Sequence, residues 1–360
     1  LSKAKTRETP MKAVNFCLIL LSGCVFAACG GSGSGSTNLT SDSTVVSAPS
    51  ADPTPVQAGV DYTELADFSA YDNWVCDNAT ILDPNTGAVL TPAVTVDENS
   101  GALLRSVSSN SIPDHLVGDF PNVGNPNEID EVAVDYRVTM RVATEDPAKT
   151  AANSAQLVGI SVGGILFDPM TAEVYNNDRN SGWNYEALTI GAASNSSLAG
   201  AIGYLGTDCN NAHVQPNGKY HYHGMPEELV SNLLAATGAS LDKPGMVLVG
   251  YAADGYPMYA RYGYTDPMDP ASGVLALSGS FELKTGTRPS GPGGSYDGTF
   301  VQDWEFVAGS GDLDECNGRY GVTPEYPNGI YHYFITDDYP FIQRCVWDEP
   351  TDDALLGPPQ

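Results

Sequence analysis

Positive charge is scarce in this 360-residue chain. Lys and Arg number 16 against 44 Asp and Glu, a formal charge of −28 at pH 7. A nucleic-acid ligand needs clustered Lys and Arg to neutralise phosphates, so that class is excluded, as is a polybasic membrane patch. No apolar run is long enough to cross a bilayer, which takes ~20 residues. No Gly-rich phosphate loop or dinucleotide fingerprint occurs in a strand–turn–helix setting. No two of Cys76, Cys209, Cys316 and Cys345 stand at CxxC spacing, which argues against a thiolate zinc site. Histidine is rarer still, at five residues.

Other features resemble reactive motifs without their context. Gly159-Ile160-Ser161-Val162-Gly163 matches GxSxG, but the chain continues as strand through Gly164-Ile165-Leu166-Phe167. A nucleophile elbow needs a helix there. Asp83-x-Asn85-x-Gly87 and Asp97-x-Asn99-x-Gly101 begin like calcium loops, yet position twelve is Val94 or Ser108 rather than Glu. Both read as hairpin turns.

The composition supports a folded β protein. Hydrophobic residues make up 42% of the chain, enough for a core, while 38 Gly and 25 Pro favour turns over long helices. Residues 1–28 read as a leader and lipoprotein signal peptide, with Met11 a plausible start and residues 1–10 upstream of it. Cys29 is the favoured lipidation site and Cys24 the alternative. Membrane attachment would then be by a lipid anchor, on the outer side of the bacterial envelope or at the cell surface. Residues 29–60, rich in Gly, Ser, Thr and Pro, read as a flexible tether. Residues 61–350 read as the globular domain and 351–360 as an acidic, Pro-containing tail.

Four cysteines fall in the domain, and an even number in an exported protein reads as two disulfides. Three connectivities are open. The shortest loop joins Cys316 to Cys345 and leaves Cys76 with Cys209.

Hydrophobic alternation predicts a half-exposed antiparallel strand within 132–143. Residues 80–90 predict a hairpin around Asp83–Gly87, and 246–264 another turning at Asp254-Gly255. Residues 157–167 predict two buried strands. Pro226, Glu227 and Glu228 open one helix and Gly238 closes it. The expected fold is mainly β, with sandwich-like antiparallel sheets and one or two short helices.

A duplication is legible in the second half. Asp208-Cys209-Asn210 precedes Asn217-Gly218-Lys219-Tyr220-His221-Tyr222. Asp314-Glu315-Cys316-Asn317 precedes Asn328-Gly329-Ile330-Tyr331-His332-Tyr333. Each unit reads as a disulfide-anchored loop, a tight turn and a strand.

The histidines collect around these units. On a strand, His221 and His223 share one face, ~6.5–7 Å apart, with Tyr220 and Tyr222 on the other. If the units pack as mates, His332 adds a third imidazole, with His213 and His115 as further candidates. Imidazole favours copper or zinc, and an open fourth position is the catalytic arrangement. Calcium is an alternative ion for so acidic a chain. Tyr220 and Tyr222 could shape the pocket, and Asp208, Asp254, Asp114 and Asp314 could orient ring nitrogens.

As a set, these segments resemble the bacterial YHYH-domain proteins. The resemblance rests on 109–129 (SNSIPDHLVGDFPNVGNPNEI), 163–176, 209–226 (CNNAHVQPNGKYHYHGMP), 250–263, 295–307 and 313–345. It spans roughly 105–350 and implies an exported, often membrane-tethered domain, but no activity. The expected function is an anchored metal-binding protein, redox or hydrolytic if it is an enzyme. The rival expectation is an extracellular module that binds glycan, peptide or a surface partner through exposed aromatics.

Overall fold

The computed structural model describes residues 76–122, 124–188, 205–238, 244–355. The leader, the tether and both lipidation candidates, Cys29 and Cys24, lie outside the described residues.

The chain is mainly β. Strands β1 (Val94–Asn99), β2 (Leu104–Ser109) and β3 (Val134–Thr139) form an antiparallel meander. In β3, Val134, Tyr136 and Val138 are buried, while Asp135, Arg137 and Thr139 are exposed. That is the half-exposed strand expected from period-two alternation.

Eight further strands make the main sheet. They are β4 (Gly159–Ser161), β5 (Leu166–Phe167), β6 (Ala212–Val214), β7 (Tyr220–Tyr222), β8 (Leu248–Ala252), β9 (Pro257–Tyr259), β14 (Gly318–Gly321) and β15 (Ile330–Phe334). The spatial order is β14-β15-β9-β8-β4-β5-β7-β6. Two ribbons stand apart, β10 (Tyr262–Tyr264) with β11 (Val274–Ala276), and β12 (Phe281–Leu283) with β13 (Trp304–Phe306). The expected helix is α1 (Glu227–Thr237), closed by Gly238 in the left-handed conformation.

The main sheet is two copies of one four-stranded unit. In β4-β5-β7-β6 the pairings run antiparallel, parallel, antiparallel, and β8-β9-β15-β14 repeats them. The copies join through the antiparallel β4–β8 pair. The duplication is therefore larger than the YHY segments. It begins at 157–167 (LVGISVGGILF) and 248–258 (LVGYAADGYPM), which share Leu-Val-Gly and a later Gly. That later residue, Gly164 or Gly255, has positive φ in both copies (78° and 91°) and turns the first hairpin. The parallel pairs depart from the all-antiparallel expectation. They arise because each copy inserts its second hairpin beside the second strand of its first.

The backbone also corrects the alignment of the units. Asn211 donates to the Asp208 carbonyl and Asn317 to the Asp314 carbonyl, both at 2.9 Å and both with positive φ. Asp208 thus matches Asp314 and Asn211 matches Asn317, so Cys209 corresponds to Glu315 rather than to Cys316. The disulfides are Cys76–Cys209 and Cys316–Cys345. They close different loops and are not equivalent across the repeat.

The folded chain runs past residue 350. Ala354 is buried, its carbonyl accepts from Gln156 and Leu157, and Asp353 pairs with Arg137 at 2.9 Å. Ser161 lies in strand–turn–strand context, its hydroxyl accepting from the Ile165 amide at 3.0 Å, which fits a turn and not a nucleophile elbow. No helix among the described residues is long and apolar enough to cross a membrane.

Candidate metal centre

The β6–β7 hairpin sets the geometry. Gln215 and Lys219 bracket its turn, Gly218 takes φ +90°, and Asn217 sits at the tip. Counting back from the turn places His213 directly opposite His221. Strand alternation then brings His223 onto the same face. The three rings form a near-equilateral triangle, with centroids 4.7 Å (His213–His221), 4.7 Å (His221–His223) and 4.8 Å (His213–His223) apart. One ligand atom from each lies within 4.8 Å of the others.

Backbone carbonyls orient these rings. His213 Nδ1 faces the Leu205 carbonyl at 2.9 Å and His221 Nδ1 faces that of Lys219 at 3.3 Å. A carbonyl only accepts, so both Nδ1 atoms carry the proton and both Nε2 atoms present a lone pair. His223 Nδ1 is buried with no hydrogen-bond partner. The Nε2 atoms of His213 and His223 approach to 3.1 Å. Two ligands ~2.05 Å from a tetrahedral ion would stand about 3.3 Å apart, so this spacing already suits a shared cation. Burial, and then the neighbouring imidazoles, hold His221 and His223 well below the usual histidine range, and burial lowers His213. All three are therefore neutral at physiological pH, the state in which imidazole binds metal.

The structure does not bring the other expected residues to this point. His332 lies on β15, with β9, β8, β4 and β5 between it and β7. Its ring packs on Tyr259 (5.3 Å) and Phe334 (5.0 Å). It occupies the place equivalent to His221 in the second copy, but a two-fold related position is not a shared one. His213 is the third member of the trio instead.

His115 lies behind the sheet. Its Nδ1 donates to the Leu116 carbonyl at 2.8 Å, and its Nε2 accepts from the Tyr222 hydroxyl at 2.6 Å, leaving neither nitrogen for an ion.

Tyr220 and Tyr222 are buried on the face opposite the imidazoles and do not line the site. The Tyr220 hydroxyl donates to Asp208 at 2.7 Å, and burial raises that carboxyl to about 6. Tyr333 donates to Asp254 at 2.7 Å, and Tyr331 to Asp314 at 3.1 Å. These carboxylates hold tyrosines rather than ring nitrogens. Asp114 is exposed beside Gly163.

Several residues near the trio carried no sequence signal. The parallel β5–β7 register sets Leu166 against His221, which places Asp168 next to His223 on the same face. Burial raises the Asp168 carboxyl to about 7. Glu173 acts electrostatically on His213, and Arg344 on His223. Arg344 is tied to the buried Glu186 at 2.9 Å and to the Pro169 carbonyl. All four disulfide sulfurs are consumed, so none of these cysteines offers a thiolate.

Searches of curated proteins and of solved structures gave no match. A family model described as YHYH protein matches residues 136–347, a stretch that holds both copies of the four-stranded unit and all three clustered histidines. That match covers more than half of the chain, and the chain belongs to the YHYH protein family.

Proposed function

We propose that this is an exported, lipid-anchored protein that binds one transition metal through His213, His221 and His223. The observation that carries this reading is three neutral imidazoles, two buried and His213 half-buried, with His213 and His221 fixed by backbone carbonyls so that their Nε2 lone pairs are unprotonated, all within ligand reach of one point. An all-imidazole donor set suits zinc or copper, and three protein ligands leave a coordination position for water or substrate. The two disulfides fit an oxidising compartment.

The rival reading, an aromatic binding module, expects exposed tyrosines and no buried histidine cluster. Tyr220, Tyr222, Tyr331 and Tyr333 are all buried and hydrogen-bonded instead.

The test is metal analysis of the protein after dialysis against zinc or copper. One equivalent per chain is expected, falling to background in a His213→Ala/His221→Ala/His223→Ala variant. Equal substoichiometric metal in both would refute the reading.

A further inference from the structure

The second copy of the four-stranded unit carries the same scaffold with different occupants. The β14–β15 register sets Arg319 opposite His332, as β6–β7 sets His213 opposite His221. His332 also keeps the ring tether, its Nδ1 facing the carbonyl two residues back (Ile330, 2.9 Å) as His221 faces Lys219. Two residues further along the strand, Phe334 stands where the first copy has His223. One of the three imidazoles thus remains. The other two positions hold a guanidinium and a phenyl ring, with Arg319 Cζ 5.5 Å from the Phe334 centroid.

This guanidinium is an unusual cation. It forms no ion pair among the described residues, and its Nε is buried without a hydrogen-bond partner. What holds it is the Tyr264 carbonyl, at 2.6 Å from Nη2, and the face of Phe334. Tyr264 belongs to β10, which follows β9 directly. The corresponding stretch after β5 contains Glu173, the residue that acts on His213.

We propose that the second copy is a cation site of the same design in which the Arg319 side chain has replaced the metal ion. It rests on the metal reading of the first copy. In the first copy three imidazoles converge on a place for an external cation. In the second, the Tyr264 carbonyl and one aromatic face hold a cation that is covalently attached to the strand opposite His332. The pocket that holds Arg319 and Phe334 is therefore a latent three-histidine site.

The full-length chain carrying Arg319→His/Phe334→His is compared with wild type by metal analysis after dialysis against zinc, with circular dichroism as the check on folding. The proposal expects two equivalents per chain against one. A folded variant that still holds one equivalent overturns the inference and leaves the metal reading of the first site intact. No metal in either protein refutes both.

The reciprocal His213→Arg/His223→Phe variant decides the matter if the first does not fold. It is expected to bind no zinc and to melt above His213→Ala/His223→Ala, at a temperature unmoved by chelator. Melting no higher than the alanine variant would overturn the inference.

Discussion

His213 and His221 face each other across one rung of the β6–β7 ladder, their ring centroids 4.7 Å apart and each Nδ1 facing a different backbone carbonyl. Neither ring can turn without breaking its carbonyl bond, so the two Nε2 lone pairs are held in place beside His223.

Metal binding should therefore discriminate sharply among the five histidines. Single substitutions His213→Ala, His221→Ala and His223→Ala are each expected to abolish stoichiometric zinc, whereas His332→Ala leaves it in place. With ligand at 100 times its Kd, the wild type should gain about 2.7 kcal/mol of stability. The three cluster variants should gain none. Thermal unfolding with and without zinc reads both effects.

His115 should matter for stability and not for metal. It accepts the buried Tyr222 hydroxyl, so His115→Ala leaves that donor unpaired at a cost of about 1–3 kcal/mol, with a cavity adding to it. The His115→Ala/Tyr222→Phe pair removes the stranded hydroxyl and should be less destabilised than the sum of the single variants. Urea unfolding of the four-protein cycle tests this, with unchanged zinc content as the control.

Stability should depend on pH through Asp254. Burial raises its carboxyl to about 6, from an unfolded value near 4. A raised folded value means the contribution is complete below pH 4 and is lost as pH rises to about 6. The loss is up to about 3 kcal/mol. Asp254→Asn should remove this dependence, so its stability relative to wild type rises between pH 4 and 6 and then levels off. Denaturation midpoints at half-unit pH steps would show it. A difference that is flat across the window would contradict the assignment.

Removing the Cys316–Cys345 disulfide by double Ala substitution should cost about 3.6 kcal/mol, the chain-entropy value for a sequence separation of 29. Because this bond lies in the second copy, zinc content is expected to stay at one equivalent.

Much of this was readable because it was local. Alternation fixed Val134–Thr139, and Pro226 and Gly238 bracketed the helix. The Asp254-Gly255 turn and the disulfide pairing by shortest loop also matched the structure. His221 and His223 shared a face because two residues on a strand must.

His332 does not join the histidine cluster because pairing across a sheet depends on strand order. Matching YHY to YHY points to His332, whereas the observed β6–β7 register supplies His213. Counting outward from the Asn217-Gly218 turn would have found it. Asp168 carried no such cue, since its neighbour His223 is set by a parallel pairing with 54 residues of chain between the two.

The two turn glycines have one more effect on how the molecule holds together. A side chain at Gly164 would strike Ser109, and one at Gly255 would strike the Thr139 carbonyl. Ser109 and Thr139 sit at opposite ends of the β2–β3 ladder. The small meander thus lies lengthwise as a strap from one repeat to the other. Neither repeat can peel away while the strap stays seated, so the repeats should melt together in a single calorimetric transition.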